Sequence, residues 1–379
     1  MTPVKETYLS LLESGIRQTL PPEVEPGLLP RVWELSSSQC TRGFVLDAYL
    51  RSQSAKDASK EVLQKARGCL HGIMMGHLGQ ARALSLVLET LSKEGIRGVL
   101  LKGEGNSALY ANPMLRETGD IDLWVGQEAY AQALECLGKV SEGLVEEDEE
   151  ELEKHTGMLV GGVVVEVHAL TGHAFTKSKD ALYQAYAHKG LHDNLDTAVV
   201  SGISVSVPEP TFNAFYVFHH FFCHFMQGGV GLRQVADWAV LLESRKDAID
   251  WDRLGKMVTD MGLQRPWNVF LQLCVQYLGL SCEILPATSD KTYGDLAGKV
   301  LDRILEEGNF GKSRHRARRS GTYVFDKALS LWEHLRRYAA LLRIFPLQAL
   351  TSFSQSFLRS SRAVFRDLAD SLGLRRKKS

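Results

Sequence analysis

The pentad Gly119-Asp120-Ile121-Asp122-Leu123 sets two carboxylates two residues apart in an apolar run. On a strand, residues two apart share a face. Asp120 and Asp122 then stand side by side, while Ile121, Leu123 and Val125 turn the other way, toward a core. Like charges that close are costly unless a cation sits between them. A third acid, Glu166, lies in Val163-Val164-Val165-Glu166-Val167-His168, a β-branched run where an unpartnered buried charge is expensive. If the two strands are neighbours, Asp120, Asp122 and Glu166 can hold one or two Mg²⁺ (or Mn²⁺) ions, in the oxygen-rich coordination used by ions that also carry phosphates. The chemistry that needs this is phosphoryl or nucleotidyl transfer, in which paired ions activate an attacking oxygen and stabilise leaving pyrophosphate. The Asp-Ile-Asp triplet alone is weakly specific. A glycine-containing turn upstream and an acid on a later apolar strand make the combination more so.

That upstream turn is Lys102-Gly103-Glu104-Gly105. Glycine lets the backbone approach a phosphate, and a helix starting there offers free N–H groups. Lys102 can pair with a phosphate oxygen as a point charge. The same residues also make an ordinary strand-to-helix turn with an exposed lysine. Their position eighteen residues before Asp120 favours the phosphate reading. Glu104 puts negative charge close by, so it either points away or binds substrate or metal. Arg116, four residues before Asp120, suits neutralisation of a triphosphate or bracing of a carboxylate. The alternative is a surface arginine.

Further candidates lie outside this turn. His168 shares a strand face with Glu166 and suits orientation of a substrate hydroxyl or acceptance of its proton; a packing histidine is the plain alternative. His220 and His224 are four apart and share a helix face. That spacing can chelate zinc, but the glutamate of a metalloprotease helix is missing, and the aromatic surroundings fit a cleft wall or plain core. Arg233 and Asp237 are also four apart. They read either as a surface ion pair or as a phosphate-binding arginine held by its aspartate. His71 and His77 read as packing residues.

The elements that must position these groups follow from periodicity. Residues 1–92 read as a helical N-terminal region. Residues 93–208 read as a mixed α/β core, with strands at Arg97 to Leu101, Thr118 to Val125, Gly157 to Val160, Val163 to His168 and Ile203 to Val207, and a helix from Gln127 to Val140. A short helix is expected to start at Ser107. Residues 209–308 read as a helical domain completing a cleft, led by the strongly apolar Phe212 to Met226. Residues 309–379 read as a basic helical C-terminal region, with a loop at Phe310 to Ser320 and helices at Tyr323 to Ile344 and Gln348 to Leu372.

Leu101-Lys102-Gly103, Leu109-Tyr110, Arg116, Gly119-Asp120-Ile121-Asp122-Leu123 and Glu166-Val167-His168 together resemble the uncharacterised nucleotidyltransferases of the DNA polymerase β-like superfamily. The similarity extends to His219-His220-Phe221-Phe222-Cys223-His224 and Gly231-Leu232-Arg233-Gln234-Val235-Ala236-Asp237, covering residues from about 70 to about 245. The resemblance implies an α+β fold with a minimal nucleotidyltransferase sheet and Mg²⁺-dependent transfer of a nucleotide. The wider superfamily carries Gly-Ser or Gly-Gly at the turn where this chain has Lys102-Gly103. The expected reaction moves a nucleoside monophosphate from an NTP, ATP or GTP, to a hydroxyl or amine of a small molecule, a peptide or protein, or an RNA end. Asp120, Asp122 and Glu166 would be catalytic, with Lys102, Gly103, Arg116 and Arg233 on the nucleotide. His168, His220, His224 and Asp237 would line the cleft or meet the acceptor. The rival expectation is a nucleotide-binding interaction module without turnover; the presence of all three carboxylates argues against it.

Charge says less about the core than about the tail. Lys and Arg number 44 against 45 Asp and Glu, but Phe310 to Ser379 carries 16 basic and four acidic residues. Such a tail suits an anionic partner or a solvated surface. An acidic run fills Glu146 to Glu151. Six scattered cysteines with no CxxC pair fit reduced thiols. No signal-like start and no spanning apolar run is present, so the expectation is a cytoplasmic protein.

Overall fold

The computed structural model describes residues 1–145, 155–284, 293–309 and 323–354. The acidic run Glu146 to Glu151, the basic stretch Phe310 to Ser320 and the tail beyond 354 lie outside the described residues. The fold is α+β. Helices α1 (Pro3–Arg17), α2 (Leu29–Ser38), α3 (Arg42–Arg51) and α4 (Lys60–Lys93) precede the sheet. Strand β1 (Val99–Leu100), short helix α5 (Lys102–Ser107), β2 (Ile121–Trp124), α6 (Gly126–Gly138), β3 (Gly143–Leu144), β4 (His155–Val160) and β5 (Val163–His168) follow. Helix α7 (Asp180–His192), β6 (Asp196–Val200) and β7 (Ile203–Val207) close the sheet region. The rest is helical: α8 (Pro210–Gln227), α9 (Leu232–Ser244), α10 (Trp251–Met261), α11 (Gln264–Tyr277), α12 (Gly294–Glu307) and α13 (Tyr323–Ile344). A further helical stretch covers 346–354.

The seven strands run in the order β3-β4-β5-β2-β1-β7-β6. The acid-bearing strands sit side by side: β2 pairs with β5 in parallel, with Asp122 opposite Glu166 and Trp124 opposite His168. The β4–β5 hairpin turns at Gly161 and Gly162, whose φ values of 58° and 75° fit the left-handed turn that suits twisted strands. That turn fixes the register that brings His155 opposite His168.

Side-chain alternation divides the sheet into two faces. Ile121, Leu123, Val165 and Val167 are buried against Leu84, Val87 and Leu91 of α4 and Ala133 and Leu137 of α6. Asp122, Glu166 and His168 therefore face the other side, toward α8. Helix α8 buries Phe212, Phe215, Phe218, Phe221, Phe222 and Phe225. Its apolar core is continuous with that of α1 to α3, so the chain's two helical ends share one core. Arg337 of α13 buries its guanidinium against Glu307 and the carbonyls of Phe225 and Met226, which docks α13 on this core.

Some elements differ from expectation. β6 and α7 were not anticipated, nor was β3. The short helix runs over Lys102–Ser107 instead of starting at Ser107, and kinks at Gly103. No helix of the described residues is long and apolar enough to cross a membrane.

Phe218 is fully buried and packs on Phe221, Phe222, Trp238, Trp267 and Phe270. Truncation to alanine leaves a cavity that surrounding rings cannot fill, at a cost of about 3–5 kcal/mol. Denaturant unfolding of Phe218→Ala should show that loss, whereas exposed Leu20→Ala should change stability by less than about 0.5 kcal/mol.

Candidate active site

A cleft of about 1410 Å³ lies between the acidic face of the sheet and helices α8 and α9. Asp120, Asp122 and Glu166 all line it, and each can offer an oxygen within 4.8 Å of the others. Two sequence features produce this convergence: the two-residue spacing in β2 and the parallel register of β2 on β5. The three carboxylates expected to act together are thus brought together. Asp120 is exposed, Glu166 half-buried and Asp122 buried.

Asp122 is the most enclosed of the three, at 2% exposed. The Lys102 ammonium lies 3.0 Å from its Oδ1, and His168 Nε2 donates to the same oxygen at 3.0 Å. Burial opposes the charge on Asp122, but Lys102 and His168 outweigh it and hold the carboxyl well below the usual carboxylate range. Burial likewise opposes charge on Lys102, and the field of Asp122, Asp120 and Glu166 keeps it cationic. Burial pushes the Glu166 carboxyl up to about 7; the charge of Asp122 adds to this, and His168 and Lys102 oppose it. His168 resists burial and is raised to about 9 by Asp122 and Glu166.

Lys102 therefore points at the carboxylates and does not stand exposed on the turn. It also donates to His220 Nε2 at 3.0 Å, and His224 Nε2 lies 3.0 Å beyond. Burial, with Lys102 and His224 adding, keeps His220 neutral, as an acceptor for Lys102 must be. His220 and His224 thus form a cleft wall whose working partner is Lys102. The backbone at Lys102 and Gly103 has φ of 25° and 36°, a conformation L side chains rarely adopt. A Cβ on Gly103 would come within 3.9 Å of an Asp122 oxygen, so the turn passes directly beneath the acids.

Of the two roles expected of Arg116, the structure shows the bracing of a carboxylate. Arg116 is 2% exposed and gives Asp237 two hydrogen bonds of 2.8 Å. Asp237 also accepts from Tyr110 at 2.8 Å. The expected Arg233–Asp237 pair does not form, because Asp237 serves Arg116; Arg233 instead donates to the carbonyls of Glu117 and Thr118. Arg233 still lines the cleft beside Gly119. Glu104 points away from the cleft floor into a buried pair with His77 at 3.0 Å, and its other oxygen lies 3.9 Å from Arg116. His77 makes its second contact with the Arg116 carbonyl.

Several residues here escaped sequence reasoning. His77 and Gln80 belong to a helix whose pattern carries no chemistry, yet they hold Arg116 and the Gly119 carbonyl. His155 precedes the strand limits read from the sequence. The Gly161-Gly162 turn was the available signal, because it fixes which residue faces His168.

Deep burial also predicts an acid-sensitive fold. His219, on the aromatic helix, is stacked near Tyr183 and Phe215. Burial lowers it from 6.5 to about 4. The unfolded chain then takes up a proton between those values that the folded chain refuses, so stability falls as pH drops through that window. Between pH 7 and pH 5 the loss from this group is about 2 kcal/mol. Unfolding curves for wild type and His219→Phe at both pH values should differ in slope by about that amount; parallel curves would show that His219 plays no such part.

Residues 30–279 match the model of a family described as uncharacterised nucleotidyltransferase. No curated protein matches the chain. Among solved structures, the chain is similar to an antigenic nucleotidyltransferase-like protein from Paracoccidioides brasiliensis, at 15% identity over 54% of this chain and 93% of that one, with a TM-score of 0.30. The family match spans most of the chain, including all three carboxylates, the lysine turn and the histidine helix, and the protein belongs to this uncharacterised nucleotidyltransferase family.

Proposed function

We propose that the protein transfers a nucleoside monophosphate from an NTP to a hydroxyl or amine, with release of pyrophosphate and dependence on Mg²⁺ or Mn²⁺. The observation that carries this reading is the convergence of Asp120, Asp122 and Glu166 within 4.8 Å on neighbouring strands at the floor of a large cleft. The donor set fits the group: three carboxylates supply the hard oxygen ligands that Mg²⁺ takes when it also binds phosphates. When bound, such ions activate the attacking oxygen and stabilise the leaving one.

The chain's own residues have separable parts in this reading. Lys102 neutralises Asp122 before substrate arrives and is placed to turn to a phosphate once that charge is otherwise met. Gly103 lets the backbone lie close under the acids. Arg233, with its guanidinium at the cleft edge, meets the phosphates. Arg116 acts as a positioning residue through Asp237, since both ends of its guanidinium are engaged by that carboxylate at the cleft lining. His168, held protonated by Asp122 and Glu166, keeps both carboxylates in place. His220 keeps Lys102 aimed.

Incubation with labelled NTPs and Mg²⁺ or Mn²⁺, followed by mass analysis of the protein and of a metabolite extract, should yield a nucleotidyl adduct on one of them. Losing a metal ligand removes several kcal/mol of transition-state stabilisation, which is about 100-fold or more in rate. Asp122→Asn should lose the adduct to that extent; equal labelling by wild type and variant would refute the assignment.

The basic C-terminal region is read separately, as a surface for an anionic partner. Helix α13 turns Trp332, Leu335, Arg336, Leu342 and Arg343 outward, which favours that reading. Binding to anionic vesicles or polyanions should weaken steeply with salt; salt-independent binding would sink it.

A further inference from the structure

We infer that His155, Glu166 and His168 form a second metal site, suited to a borderline first-row cation such as Zn²⁺, Mn²⁺ or Fe²⁺ and lying beside the carboxylate centre. The hairpin produces it. His155 and His168 are cross-strand partners, and Glu166 precedes His168 by two residues on the same face. Opposite Glu166 on the neighbouring strand stands Gly157, which has no side chain to separate Glu166 from His155. The three side chains can offer donor atoms within 4.8 Å of one another.

The spacing of this group suits shared coordination. Both imidazoles approach the same Glu166 oxygen, His155 Nε2 at 3.6 Å and His168 Nε2 at 3.4 Å. Ligands about 2.1 Å from one ion, at tetrahedral angles, stand roughly 3.4 Å apart. The two rings also lie with centroids 4.7 Å apart, tilted by 36°.

Ligand type sets the metal class. Two imidazoles and one carboxylate favour zinc, manganese or iron, whereas Mg²⁺ takes oxygen and keeps water. Glu166 belongs to both groups of possible ligands, so one carboxylate joins a hard, all-oxygen centre to a softer, nitrogen-bearing one. Loading the second centre replaces the proton that His168 shares with Asp122. Three protein ligands leave positions open to the cleft, where a coordinated hydroxyl would ionise more readily. The inference shares Glu166 with the proposed transferase centre, but its readout needs no nucleotide, so either can fail alone.

The test is titration of the full-length, metal-stripped protein with Co²⁺ under saturating Mg²⁺. Visible bands of nitrogen-bound Co²⁺ are expected at one equivalent, displaced by Zn²⁺ and not by Mg²⁺. Asp120→Asn should keep the bands. His155→Ala and His155→Gln should weaken Co²⁺ binding at least about tenfold. Binding of equal strength in the His155 variants would belong to other histidines, such as the stacked His188 and His192, and would overturn the proposal. Complete displacement by Mg²⁺ would do the same. Should the variants fail to fold, pulsed EPR of Mn²⁺-loaded His188→Ala/His192→Ala protein under saturating Mg²⁺ replaces them: ¹⁴N coupling is expected, and its absence overturns the proposal.

Discussion

The carboxylate of Asp122 lies almost wholly out of water, between the Lys102 ammonium and the His168 imidazole. A buried carboxylate left alone costs several kcal/mol, and this one has Asp120 and Glu166 within 4.8 Å. The protein must therefore supply positive charge at this point whether or not a cation is bound. That requirement accounts for much of the surrounding architecture. It explains a lysine on a turn whose backbone φ of 25° costs about 1–3 kcal/mol. It also explains a neutral histidine on the facing helix, aimed at that lysine and not at a metal.

A second layer of buried ions supports the first. Arg116, Asp237 and Tyr110 form one hydrogen-bonded set, and Glu104 with His77 forms another beside it. These groups come from α4, α5, the loop before β2, and α9. Each alone would be expensive to bury; joined, they satisfy one another. Their work is to hold the segment that delivers Asp120 and Asp122. Removing one partner strands another charge in the interior, and the harm reaches the strand that carries Asp122.

Much of the site was legible because it depends on local rules. Alternation along Ile121 to Val125 and Val163 to His168 gave the strands and their acidic face, and aromatic density gave α8. The long-range pairings were not legible. Arg116 and Asp237 are separated by 121 positions, and nothing local distinguishes that partner from Arg233 four residues away. The i,i+4 rule pointed to the nearer pair, but burial and bidentate geometry favoured the distant one. α7 has weak amphipathic patterning and β6 is bounded by polar residues, so neither stood out. The core shared by the two helical ends was hidden for a similar reason: periodicity tells which face is apolar but not what it meets.

Ties across the cleft between the sheet and the helical lobe include three that carry charge: Arg116 to Asp237, Arg233 to the carbonyls of Glu117 and Thr118, and Lys102 to His220. Each of these ties uses a buried or half-buried ion whose separation would expose or strand charge. A clamshell motion about this cleft would have to break all three. The two arginine ties thus brace the cleft as a slot, and a molecule entering it must fit the opening they leave. The shape and polarity of that opening then decide what can reach the three carboxylates.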